Sequence, residues 1–140
     1  MKLSKEERKL IESAIAQAEL NTSGEIRVHI ADSCKDDVLD CATYWFEKLK
    51  MHQTALRNGV LFYIARNDRK FAILGDAGIN AKVEANFWKS ISEQMEADFK
   101  NGRFAEGLKT GILSAGQQLK NYFPIQIDDI NELSNEVSFS

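Results

Sequence analysis

Ile11, Ala14, Ile15 and Ala18 recur three and four residues apart, the spacing that places them on one face of a helix. Ser4 followed three residues later by Glu7 fits a capping box at its start, and Asn21-Thr22-Ser23-Gly24 stops it. From Glu25 the period changes to two. Ile26, Val28 and Ile30 point one way and Glu25, Arg27 and His29 the other, which predicts a strand with one buried face lying towards a sheet edge. Asp36 and Asp37 open a second helix with an inner stripe of Val38, Ala42, Trp45 and Leu49.

Val60-Leu61-Phe62-Tyr63-Ile64-Ala65 is an unbroken apolar run, as expected of a strand buried on both faces. Phe71-Ala72-Ile73-Leu74 follows after the turn residues Arg66-Asn67-Asp68-Arg69. That gap is too short for a crossover helix, so the two runs form an antiparallel hairpin. After Gly75-Asp76-Ala77-Gly78, apolar side chains repeat every four residues from Ile79 through Phe99, predicting one long helix that stops at Asn101-Gly102. A last helix carries Phe104, Leu108, Ile112, Leu113 and Leu119, with Gly107, Gly111 and Ala115 on one face for close approach of a neighbour.

These elements give an α/β fold: a three-layer helix–sheet–helix sandwich whose small mixed sheet joins a β-α-β unit to an antiparallel hairpin, flanked by about four helices. A single domain over residues 1–124 is expected, with a polar, acidic tail over 125–140 that includes a short extended piece at Ile125-Gln126-Ile127.

Composition agrees with a water-soluble globular chain, at 44% hydrophobic and 28% charged residues. A net charge of −3, spread along the chain, offers no basic footprint for nucleic acid and no polybasic patch for a membrane. No apolar run approaches the roughly 20 residues of a membrane span, and the charged N-terminus is unlike a signal peptide, so a cytoplasmic monomer is expected. Cys34 and Cys41 are seven apart; on one helix they would lie about 10 Å apart along the axis and stay as separate thiols.

The topology sorts candidate chemistry onto the two ends of the sheet. Ser23, Gly24 and Glu25, then Arg57, Asn58 and Gly59, then Gly75, Asp76 and Gly78 converge on one end. There Glu25, Asn58 and Asp76 supply hard oxygens of the kind calcium and magnesium prefer, although Gly-Asp and Asn-Gly are also ordinary turn residues. Arg57, Gly75, Gly78 and Asn80 are the candidates for holding an anionic substrate beside that cation. Asp32, Asp68 and Asp98 form a rival acidic cluster at the other end, which is where α/β sheets commonly bind ligands. There is no Gly-x-Ser-x-Gly elbow, no phosphate-cradling loop ending in Lys-Ser/Thr, and no cysteine at a phosphate loop. His29 and His52 read as surface histidines, and Arg103 as a weaker partner for phosphate than Arg57.

Ser23-Gly24-Glu25-Ile26, Asn58-Gly59-Val60-Leu61, Asp68-Arg69-Lys70 and Phe99-Lys100-Asn101-Gly102-Arg103-Phe104, in that order, resemble the TPM domain over roughly Ser23 to Phe123. The resemblance implies the same sandwich and a divalent cation, calcium rather than magnesium, in an acidic loop crevice. It also implies a weak metal-assisted phosphatase activity on small phosphoesters in some members. A non-catalytic protein-interaction module is the other reading. Asn80 stands where many members carry an acid, and the loop Gly75 to Asn80 is one residue longer than theirs.

Overall fold

In the computed structural model, which describes residues 3–84, 86–125 and 131–140, a four-stranded mixed sheet of order β3-β2-β1-β4 is built from Glu25–Ala31 (β1), Gly59–Ala65 (β2), Lys70–Gly75 (β3) and Ser138–Phe139 (β4). β1 and β2 are parallel from Glu25↔Gly59 to Ala31↔Ala65, joined by the helix Val38–Lys48 (α2). The β2–β3 hairpin is antiparallel. The expected helix–sheet–helix sandwich is what forms. On one face Ile26, Val28, Val60 and Phe62 pack against Lys5–Ala18 (α1), Lys89–Lys100 (α4) and Phe104–Tyr122 (α5). On the other, Leu61, Tyr63 and Ala72 pack under α2. The capping box is present, with Glu7 N–H on Ser4 Oγ and Ser4 N–H on Glu7 Oε1, both at 3.0 Å.

Small residues set the helix spacing, as the Gly107–Gly111 pattern suggests. A Cβ on Gly107 would stand 2.9 Å from Asp98 Cβ, and one on Gly111 2.6 Å from Met95 Sδ, so α5 lies directly on α4.

Four expectations about the fold fail, each for a physical reason. First, β1 is an interior strand buried on both faces, because the C-terminal residues add β4 beside it and Trp45 of α2 stacks on His29 from the second face. Second, the long helix is broken: Ala77–Asn80 (α3) is a single turn and α4 starts only at Lys89, so a four-residue apolar repeat ran across a loop that also packs inward. Third, Cys34 and Cys41 form a disulfide. Asp37 caps α2 through Leu39 N–H, leaving Cys34 in the loop before the helix, where the chain folds back to a Cα–Cα distance of 6.4 Å. Fourth, the end of the chain is more than a polar tail, since Leu133 and Val137 are buried and Ser138–Phe139 pairs with β1. Of the extended piece expected near Ile125, Gln126 and Ile127 lie outside the described residues.

Candidate functional site

Three chain segments meet where β1 and β2 begin and β3 ends, as expected. Glu25 N–H donates to Asn58 O at 3.2 Å, and Asp76 N–H to Gly59 O at 3.0 Å. The side chains there are turned to structural partners. Asp76 caps α3 by accepting Ala77 N–H at 2.7 Å, and both its oxygens take the Arg57 guanidinium at 2.8 Å. Burial alone would raise the Asp76 pKa; the Arg57 and Ala77 hydrogen bonds overcome it and hold the carboxyl below its usual value. Asn58 Nδ2 donates to Ser23 O at 3.0 Å, and Asn80 Nδ2 to Gly75 O at 3.0 Å. Gly78 is a packing residue: its N–H bonds Arg57 O at 2.8 Å, and a Cβ there would sit 2.1 Å from Leu56 O. Gly75 faces Trp88, 3.2 Å from where a Cβ would be.

Glu25 stands apart from that network. Its Oε1 accepts Leu133 N–H at 2.5 Å, and it shares a pocket of about 160 Å³ with Glu19, Thr22, Ser23 and Asn131. Glu19, at the end of the first helical segment, accepts Ile26 N–H at 2.8 Å. Burial pushes both carboxyls up to about 7. The backbone N–H bonds oppose the rise; repulsion adds to it, from Glu25 on Glu19 and from Glu132 on Glu25. Sequence reasoning missed Glu19 because a glutamate closing an amphipathic helix reads as solvated surface. Glu132 was hidden for a different reason: only the folding back of the C-terminal segment brings it here.

At the opposite end the acids do not assemble. Asp68 accepts Cys34 N–H at 2.6 Å, while Asp98 is engaged by Gln94 and, at 3.4 Å, by Arg103 Nε. Among the described residues no group of three or more His, Cys, Asp or Glu side chains is placed to hold a metal ion. His52 is exposed, but His29 corrects its expected surface position. It is fully buried, stacked 4.1 Å from Trp45, with Nδ1 2.7 Å from Ser138 Oγ and Nε2 2.9 Å from Ser140 Oγ. Burial, with Arg27 nearby, lowers its pKa to about 4, so the ring is neutral and each serine takes one nitrogen.

No helix among the described residues is long and apolar enough to cross a membrane. No curated protein matches the chain. The structure is similar to the solution structure of BA42 from the psychrophilic bacterium Bizionia argentinensis, with a TM-score of 0.94 and 47% identity, over 100% of this chain and 97% of that one. Two N-terminal domains share the fold. One, from P. gingivalis, has a TM-score of 0.69 at 19% identity over 86% of this chain and 78% of its own. The other, from Corynebacterium glutamicum, has a TM-score of 0.64 at 13% identity over 97% and 80%. The sequence model of the TPM domain matches residues 2–118, and with the fold and the 47% identity over the full length it follows that the chain belongs to the TPM domain family.

Proposed function

We propose that this TPM domain binds a divalent cation, calcium in preference to magnesium, in the pocket where β1 begins, with Glu25 and Glu19 as its carboxylate ligands. The observation that carries the reading is the pair itself. A buried carboxyl, Glu25, and a half-buried one, Glu19, face one pocket, each with its pKa raised to about 7 by burial, a state a proton or a cation relieves. The rest of the coordination would come from loop carbonyls, the Asn131 amide and water. Such an irregular oxygen set suits calcium, which accepts six to eight ligands, better than octahedral magnesium. Asp76 and Asn58, the other two candidates, serve this site by bracing the loops around it: Asp76 through Arg57, and Asn58 through Ser23.

The phosphatase reading needs a cationic side chain free to neutralise phosphate, and Arg57 is held by Asp76 at two points. Cation binding without turnover is therefore the leading function.

The test is a calcium and then a magnesium titration of metal-stripped protein, followed through backbone amide shifts. Saturable shifts at Glu19 to Ile26 and Asn131 to Leu133, lost in Glu25→Gln, are expected. Shifts centred on Asp32, Asp68 and Asp98, or none that saturate, would overturn the assignment.

A further inference from the structure

A second pocket, of about 300 Å³, opens on the α2 side of the sheet. It is lined by Arg27 from β1, Leu49 and Lys50 from the end of α2, Thr54, and Leu133 and Ser134 from the C-terminal segment. Arg27 and Lys50 bring cationic donors to it. Arg27 Nε is buried with no hydrogen-bond partner among the described residues. Burial lowers the Arg27 pKa, with the Glu136 charge opposing, and the unmatched Nε–H of this half-buried side chain costs free energy that an acceptor recovers once the guanidinium turns it into the pocket. Thr54 Oγ1 accepts Asn58 N–H at 3.3 Å, which leaves its own hydrogen to donate. Lys50 is exposed at the rim, fixed there by a left-handed backbone (φ 58°). Leu49 and Leu133 provide apolar wall.

We infer that this pocket binds a small organic carboxylate, its carboxyl on the Arg27 guanidinium and its apolar body between Leu49 and Leu133. A planar guanidinium fork matches a carboxylate with two parallel hydrogen bonds. The surroundings favour one negative charge over two. α2 ends here, and the carbonyls of a helix C-terminus carry partial negative charge. Glu132 also lines the pocket, its oxygens each 3.3 Å from Ala55 N. A phosphate dianion would meet both repulsions without the cluster of backbone N–H groups that phosphate sites use. The site is distinct from the cation pocket, although two residues connect them: Leu133 donates its N–H to Glu25, and the Glu132 carboxylate that lines this pocket also acts on Glu25.

Butyrate is the probe, titrated into the full chain at constant ionic strength and followed by amide and Arg27 Nε–H shifts. Butyramide, the neutral isostere, and inorganic phosphate are titrated in parallel. Saturable shifts at Arg27, Lys50, Thr54 and Ser134 are expected with butyrate, with a Kd on the order of millimolar for so small a ligand. Arg27→Met weakens binding about tenfold. The exposed-rim variants keep the test decisive should Arg27→Met fail to fold: Lys50→Gln weakens binding and Glu132→Gln strengthens it. Three results overturn the proposal: equal shifts with butyramide, tighter binding of phosphate than butyrate, or affinity unmoved by both rim variants. Absence of saturable butyrate shifts does the same.

Discussion

Arg57 and Asp76 meet through two hydrogen bonds of 2.8 Å, Nε to Oδ2 and Nη2 to Oδ1, with the carboxylate side chain 5% exposed and the guanidinium side chain 50% exposed. The pair joins the loop before β2 to the residue after β3, and Asp76 also caps α3. Removing the buried member loses the cap and both charge-assisted bonds. Asp76→Ala is expected to cost about 2 kcal/mol of unfolding free energy. Arg57→Ala costs less, because its charge is half in water and screened. Chemical denaturation with an unchanged m-value checks both. The Asp76 carboxyl is held below its ordinary 3.8, so its contribution is present at neutral pH and lost only as pH falls below about 4.

Gly78 separates packing from ligand cradling. An added Cβ would meet Leu56 O at 2.1 Å and Arg57 O at 2.6 Å, both backbone atoms that cannot swing aside. Gly78→Ala should therefore cost about 3 kcal/mol and move the loop that carries Asn58. Gly111→Ala meets the flexible Met95 side chain at 2.6 Å and should cost about 1 kcal/mol. Thermal midpoints of the two variants give the comparison; equal losses would place Gly78 outside the close contact described.

The sheet and most helices were legible because their signals are local. The apolar run Val60 to Ala65 needs only its own side chains to declare a buried strand, and Ser4 with Glu7 declares a helix start within four residues. Much of what escaped depends on contacts distant in sequence. His29 alternates as an outward residue until Trp45 lies over it and Ser138 arrives from 109 residues away. The glycine-rich loops do converge on one end of the sheet, but Asp76 there caps α3 and pairs with Arg57; an aspartate that caps a helix and one that holds a metal look identical in sequence until its partner is known.

The Cys34–Cys41 bond ties the loop after β1 to the first turns of α2. Protein purified without reductant should carry no free thiol by aromatic-disulfide titration. Cross-linking residues seven apart restricts the unfolded chain modestly, so reduction, or Cys34→Ser with Cys41→Ser, should lower unfolding free energy by about 2 kcal/mol. Persistent disulfides belong to oxidising compartments, so the thiol count in protein quenched directly from cells also tests the cytoplasmic expectation. Two free thiols under both conditions would remove the bond.

Glu19, Glu25 and His29 give the stability a particular pH profile. The two carboxyls rise from 4.5 to about 7 on folding, so between those values the folded chain holds protons that the unfolded chain releases. Their effect is stability that falls as pH rises through that window. His29 drops from 6.5 to about 4, so the folded chain holds fewer protons there and stability falls as pH is lowered from 6.5. The two trends oppose one another between pH 4.5 and 6.5, where two carboxyls outweigh one imidazole and stability still falls as pH rises; above 6.5 only the carboxyls act, until both are ionised above about 7. The thermal midpoint should therefore decline from about pH 5 and level off a little above pH 7. Glu19→Gln and Glu25→Gln should each flatten that decline, and His29→Gln should leave it in place while adding stability gain on the acid side. Calcium replaces the proton as counter-charge, so it should raise the midpoint more at pH 8 than at pH 5.5. A midpoint that climbs from pH 6.5 to 8 in metal-free protein would mean the carboxyls are ionised and unstrained, and the cation pocket would lose its rationale.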